Sequence, residues 1–575
     1  MKHNGKFRIL SIFVIGLITL SVVFLTPFSV SADENPTSFG EKESYVLCKD
    51  GGVEKLLGDG RIVKYGEASC IYIWISLMQL HEEGLINFDD PVSLIVPKDV
   101  YKEFRFTYDF TVQDLMNQSA GFSQVYTDRA ALDTSSLASL EETLLNTVPS
   151  QLYKPGDYVA YSDWGNTFAA YIVECASGQS YPDYVKEHIF EPLSMKMTSV
   201  SYDLSSVPAL TGIDNSENGV YNVFYPSDLT YGSVLDLAIL LSDLTSGESL
   251  ILSEESVSEL FEATMNYRGT KKGRIAHGIP IYYEYENPVY GYRVYNSGNL
   301  LEFYISNDLK DYMIHATDDP YESERFVSLP YQIFGTVKNA DNTAKTIGKM
   351  AGSYRKMSAV TYGKAKFTSV FDTVSFAKID DGTLALSARK SVPYMKQISD
   401  NSFKVHDEDV GFFYQSNDGL SVIEFPLIDS VKVSRIGHIA KIALLIGYIT
   451  GGIYGGIIII SAFFKFIARL INKTEKPKSK FRKYHLIQCG CLLLHVINFG
   501  MMALNILGGG SSSFVRATSF MFYIGSLISF VYLMFFAKTG IRDKDATNAQ
   551  RIAYYITVLY SILFIAFAFV YGLLI

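Results

Sequence analysis

The chain has 575 residues, 48% of them hydrophobic, with a formal charge of −10. That length holds several domains of roughly 150 residues each, and an acidic balance argues against a binder of nucleic acid or of anionic polymer. The five cysteines and nine scattered histidines spell neither a disulfide framework nor a zinc-spaced cluster, so no metal or other cofactor is expected.

Residues 1–32 carry Lys2, Lys6 and Arg8, an apolar stretch from Ile9 to Leu25, and Ser29-Val30-Ser31-Ala32. This is the layout of a secretory signal peptide, the alternative being an uncleaved anchor. Three short strands follow, Ser44–Cys48, Val53–Leu57 and Arg61–Tyr65, parted by Asp50-Gly51 and Asp59-Gly60 turns. From Cys70 to Leu80 only Ser76 and Gln79 interrupt an apolar run. A run that ignores helical faces predicts a helix buried on all sides. Ser69 stands at the N-cap position and Gly84 at the stop, which puts a serine at the positive end of a central helix.

Further motifs come in order. Thr111-Val112-Gln113-Asp114-Leu115-Met116-Asn117-Gln118-Ser119-Ala120-Gly121 precedes Tyr153-Lys154-Pro155-Gly156-Asp157 and Tyr161-Ser162-Asp163-Trp164-Gly165. Then come Ile189-Phe190-Glu191-Pro192-Leu193, Gly232-Ser233-Val234-Leu235-Asp236 and Asn296-Ser297-Gly298. Together with Leu77-Met78-Gln79-Leu80 and Glu83-Gly84-Leu85-Ile86-Asn87-Phe88-Asp89-Asp90-Pro91-Val92, this series resembles the serine β-lactamase-like family: class C β-lactamases, penicillin-binding proteins and DD-peptidases. The resemblance spans roughly residues 40–430.

The family's nucleophile motif is Ser-x-x-Lys. The resemblance assigns Ser69 to the nucleophile, with Tyr72 at the lysine position. Tyr161 matches the tyrosine of the second motif, Tyr-x-Asn, with Asp163 in place of asparagine, and Asn296 stands in the third motif, His/Lys-x-Gly. Gln118 and Ala120 replace a histidine and a serine of the family pattern. A serine hydroxyl needs a neighbouring base or cation to attack, and a phenol is uncharged at pH 7. Tyr72, Asp163 and Asn296 thus remove positive charge and add negative charge. Ser353-x-x-Lys356 and Ser387-x-x-Lys390 repeat the motif in strand-and-turn context and are set aside.

Residues 342–435 read as short alternating strands, similar to the β-barrel accessory domain of some family members. Four apolar segments close the chain, about 442–466, 485–507, 514–537 and 552–575, each near the ~20 residues of a spanning helix. The loop after the first holds Lys465, Arg469, Lys473, Lys476, Lys478, Lys480, Arg482 and Lys483 against a lone Glu475, a net +7 that leaves −17 elsewhere. Positive loops face the cytoplasm, so residues 33–438 are expected outside a multi-pass cell membrane.

The expected fold is α+β, an antiparallel sheet with a helical region, followed by a small all-β domain and a four-helix transmembrane region. The expected division is 1–32 signal peptide, 33–341 β-lactamase-like domain, 342–437 barrel-like domain and 438–575 membrane helices. Two functions stay open. One is a catalytically impaired domain that senses or binds a ligand. The other is an active serine hydrolase acting on a peptide, ester or acylated small molecule. The expected partners are the lipid bilayer, a peptide or acylated small-molecule ligand and a membrane protein, with no nucleic acid. A cysteine placed at Ser479 is expected to resist membrane-impermeant thiol reagents in intact cells; labelling there from outside would reverse the topology.

Overall fold

The computed structural model describes residues 43–574 except 58–59, 135–136, 215, 217–218, 297–298, 319–329, 332, 336–346, 380–382, 387–393, 399–400, 406–408, 417–418 and 474–480. The expected signal peptide, the centre of the basic loop, Ser297, Gly298 and Ser387–Lys390 lie outside these residues. The fold comprises a sheet with helices, an all-β barrel and four apolar helices at the C-terminal end.

Eight antiparallel strands form the main sheet, in the spatial order Gly52–Leu57, Glu43–Lys49, Tyr312–Thr317, Asn299–Ser306, Val289–Asn296, Ile279–Tyr282, Gly273–Ala276, Met265–Asn266. The N-terminal hairpin therefore closes against strands from the far end of the domain. The third expected strand, Ile62–Lys64, leaves this sheet. It pairs instead with Tyr231–Ser233.

The helix Cys70–Glu82 packs between the sheet and the helix Asp163–Ser177. Every residue from Cys70 to Leu80 is buried, as the unbroken apolar run predicts. Of its polar side chains, Ser76 donates to the Tyr72 carbonyl, and Gln79 Nε2 donates to the carbonyls of His188 and Ile251. Trp74 donates from Nε1 to the Tyr292 hydroxyl at 2.9 Å, pinning the helix to the strand that carries Asn296. The second helix is capped by Ser162, whose side chain accepts from the Gly165 amide, and ends at Gly178 in the left-handed conformation.

Eight strands from Gly352–Lys356 to Ile428–Val433 close into a barrel. The first of these holds Ser353 and Lys356, with no buried helix behind that motif. The barrel is joined to the sheet domain by an ion cluster that alternation patterns give no sign of. Arg268 and Arg274 reach from the sheet domain to Glu424 and Asp429 on the barrel, at 2.8 Å for both contacts with Asp429. Arg274 also donates to the carbonyls of Phe425 and Pro426. Beside this cluster the Tyr161 amide donates to the Leu427 carbonyl and the Asp429 amide to that of Val159, so the barrel supports the backbone of the second motif.

The last barrel strand ends at Val433. Ser434 alone separates it from the helix Arg435–Asn472, and its side chain accepts from the Gly437 amide as an N-cap. This helix and three more, Arg482–Leu507, Ser512–Ile541 and Asn548–Val570, are long and apolar enough to cross a membrane. Phe367 and Val370 of the barrel domain pack with Tyr448, Phe499, Phe564 and Phe567 at one end of the bundle.

Removing one member of a buried ion cluster leaves an uncompensated charge, a loss of about 3–5 kcal/mol. Arg274→Met is accordingly expected to lower the thermal unfolding midpoint of the detergent-solubilised chain well below that of a surface control such as Lys98→Met. An unchanged midpoint would mean that the cluster does not hold the barrel.

Candidate functional site

The chain enters the buried helix through a 3₁₀ turn, Gly66–Ser69. Gly66 has φ of +54°, and a Cβ there would lie 2.6 Å from the Asn296 side chain. The turn is drawn that close to the strand Val289–Asn296, and a cavity of about 420 Å³ opens over the junction. Glu67, Asp163, Asp228, Arg129, Asn222 and the strand residues Arg293–Asn296 line it.

Ser69 is not among these lining residues. It has helical φ and ψ and makes no cap, because the 3₁₀ turn already carries the chain in helical register. The residue is fully buried, and its Oγ accepts from the Thr230 amide at 3.1 Å. Tyr72 is likewise a core residue, edge-on to Phe190 with ring centroids 5.1 Å apart and stacked near Tyr65. The residues of this turn that neighbour Tyr161 are Glu67 and Cys70, which are three apart and so share one helical face. Glu67 and Cys70, each two residues before the expected Ser69 and Tyr72, are thus the residues of this turn beside Tyr161.

Tyr161, Asp163 and Asn296 do come together around this turn. The Tyr161 hydroxyl lies 2.9 Å from Ser227 Oγ, which donates to Asp163 Oδ1 at 2.9 Å and accepts from Asn166 Nδ2 at 3.1 Å. Gln118 completes the frame: its Nε2 donates to Asn166 Oδ1, and its Oε1 accepts from the Ser162 amide. The Tyr161 proton is thus directed to a serine whose own proton is held by a carboxylate. Asn296 donates to the Lys64 carbonyl, and Lys64 Nζ pairs with Asp228 at 2.9 Å.

The electrostatics oppose nucleophile formation. Burial, with Asp163 beside it, pushes the Cys70 thiol well above its ordinary range, and Sγ donates weakly to the Ser227 carbonyl at 3.7 Å. Burial also raises Tyr161, with Cys70, Asp163 and Glu67 adding to the shift. Asp163 is raised by burial and eased by the Ser227 hydrogen bond and Arg129. The Glu67 carbonyl accepts from the Cys70 amide, while its carboxylate is turned to the cavity. Its depth in the cleft raises the carboxyl to about 7, reinforced by Asp163 and Asp228 and opposed by Lys356. Its side chain is nonetheless exposed to the cavity. Water therefore moderates the burial contribution, and the two neighbouring carboxylates persist as causes. Among the described residues no cluster of three or more metal-ligating side chains occurs.

Residues 72–317 match the family model described as Beta-lactamase. The chain carries a beta-lactamase-family domain. The match begins at Tyr72, so Glu67 and Cys70 fall before it while Tyr161, Asp163 and Asn296 fall within. Among curated relatives, the chain is similar to "Protein flp" of Staphylococcus aureus strain MW2, 27% identical over 155 residues, or 26% of this chain and 30% of that protein. It is also similar to "Penicillin-binding protein 4*" of Bacillus subtilis strain 168, 28% identical over 130 residues, or 22% of this chain and 28% of that protein. These matches therefore span less than a third of either relative. Among solved structures it is similar to the octameric penicillin-binding protein homologue from Pyrococcus abyssi, with a TM-score of 0.43 and 18% identity over 68% of this chain and 95% of that one.

Glu67, Cys70, Ser227, Asn166 and Arg129 escaped the sequence reading of this domain. The first two could have been found by counting from Gly66, the glycine that opens the turn; the others are joined only by the fold. A carboxyl that is raised in the folded chain holds its proton there while the unfolded chain has lost it. Its contribution to stability is therefore present at low pH and is lost as pH rises from about 4.5 to about 7. Glu67→Gln is expected to abolish that loss, so the variant should gain in unfolding midpoint over the parent at pH 8 and gain less at pH 5. A difference independent of pH would contradict the raised carboxyl.

Proposed function

We propose that the chain is an extracytoplasmic, membrane-anchored member of this family that binds a ligand in the cleft without acylation by it. The observation carrying this reading is the cleft lining, which among the described residues holds three carboxylates and two arginines and no serine, threonine, cysteine or lysine. Glu67 stands in the nucleophile's place and the protonated Cys70 in the lysine's. An active hydrolase built on Ser69 and Tyr161 would need Ser69 to reach the cleft, and its hydroxyl is committed to Thr230.

Of the charges on the cleft wall, Asp228 is paired with Lys64 and Arg293 with Glu302, which sets Glu67 and Asp163 against Arg129 and favours a ligand carrying a protonated amine over one carrying a carboxylate. The domain division 33–341, 342–437 and 438–575 belongs to this reading, with residues 33–438 outside the membrane. Two contacts support that sidedness. The turn Leu507–Ser512 and the stretch Gly572–Leu573 both meet the extracytoplasmic portion, at Arg129 and at Gly363-Lys364 respectively. The helices alternate so that the basic loop falls on the opposite side.

The test uses fluorescent penicillin on the intact chain, followed by mass spectrometry. The parent is expected to take no label, whereas Glu67→Ser with Cys70→Lys and Asp163→Asn should acquire one. Removing a general base lowers rates about 10²–10⁴-fold, so a restored base should be visible against a blank parent. In a parallel arm, small primary amines should raise the unfolding midpoint and their N-acetyl derivatives should not. Efficient labelling of the parent, at Ser69 or any other residue, would replace this reading with an active hydrolase.

A further inference from the structure

The segment Tyr126–Ala130 touches both the cleft and the helix bundle. Arg129 lines the cavity, and the short strand Ala130–Ala131 pairs with Tyr221–Asn222, whose Asn222 lines it as well. The Arg129 carbonyl accepts from the Val223 amide. On its other side this segment grips the turn between the second and third bundle helices. The Asp128 amide donates to the Gly510 carbonyl at 2.9 Å and the Arg129 amide to that of Gly509 at 3.2 Å. Asp128 Oδ1 accepts from the amide of Ser512, the first residue of the third helix, at 3.0 Å. Arg129 Nη2 reaches the Leu507 carbonyl at the end of the second helix.

The fit leaves little slack. Gly509 has φ of +70°, and a Cβ on it would fall 2.6 Å from Arg129 Cγ, so a side chain is excluded by conformation and by space. Tyr126 packs against the aromatic cluster at the bundle end and donates to Asp372 of the barrel domain. Two consecutive residues therefore hold both ends of an interhelical turn, and one of them is also cleft wall. A tether needs no such grip.

We propose that occupancy of the cleft is transmitted to the third bundle helix through Asp128 and Arg129, which makes the bundle the receiver of a binding event. This rests on the reading of the cleft as a ligand site, and it names the regulation belonging to that site. A ligand that displaces Arg129 shifts the backbone of residues 128–130, and with it the carboxylate on the Ser512 amide. By linkage, the bundle acts back on the cleft with the same coupling free energy.

The experiment places an occupant in the cleft covalently, so it does not depend on any natural ligand. Asn222→Cys in a Cys175→Ser background, full chain in lipid nanodiscs, is modified with a trimethylammonium-ethyl thiosulfonate. Hydrogen exchange is then followed by mass spectrometry over residues 512–520. Modification should change exchange there by about 5-fold or more, the lower end of ordinary allosteric coupling, and leave residues 541–548 at the opposite end of the bundle unchanged. Asp128→Ala should uncouple the two, and Asp128→Asn, which keeps an acceptor, should retain most of the effect. Complete modification with unaltered exchange at 512–520, or an equal response in Asp128→Ala, would overturn the proposal. Failure of the amine and penicillin experiments would count against the ligand reading alone.

Discussion

The close approach at Gly66 is the constraint on which the site depends. With positive φ and no side chain, the backbone turns tightly enough to set the start of the buried helix against the edge of Asn296 and Val294. Any other residue would push the helix and the strand apart. The helix behind it cannot compensate by moving, because it is enclosed on all faces and Trp74 is bonded to Tyr292. Glu67, Val294 and Asn296 take their mutual position on the cleft wall from that pinned turn.

The rotation of the helix about its own axis then decides which side chain meets the cavity. Each residue advances about 100°, so two positions separate facing inward from facing nearly the opposite way. Ser69 and Glu67 differ by that amount. The sequence disclosed the helix, its burial, the second motif at Tyr161 and the strand at Asn296, because each is written in local pattern. Helical phase is not, since an apolar run with no polar face offers no marker of direction. Local pattern picks out Ser69 as the lone serine near the helix start, whereas the turn brings Glu67 and Cys70 beside Tyr161. The ion cluster of Arg268, Arg274, Glu424 and Asp429 was hidden for another reason: its members lie about 150 residues apart and share no periodicity. Barrel strands and apolar helices, by contrast, repeat their signal often enough to be read without tertiary information.

The substitutions around the cleft make sense together. A family member that acylates needs a cation beside a hydroxyl, with the developing oxyanion held by hydrogen-bond donors. In the proposed register the cation position holds the buried Cys70 thiol and the hydroxyl position the Glu67 carboxyl, both held above their ordinary range chiefly by burial. Tyr161 has kept its place, but its hydroxyl now belongs to a network through Ser227 and Asn166 to Gln118. Such a network rigidifies what it joins. The frame around Tyr161 thus has its polar groups satisfied internally.

Ser434 is the whole covalent link between barrel and first bundle helix, and Phe367 and Val370 pack beside it on the bundle aromatics. A one-residue joint, capped by its own side chain, permits neither swivel nor tilt, and the helix it starts runs for 38 residues, about 57 Å at 1.5 Å each, well past the ~30 Å hydrocarbon layer. The large domain therefore diffuses rotationally as one piece with its bundle. Its cleft mouth is thereby held at a set azimuth from the bundle. Molecules reach it from a fixed sector of space, and anything packed beside the bundle meets the same side of the domain.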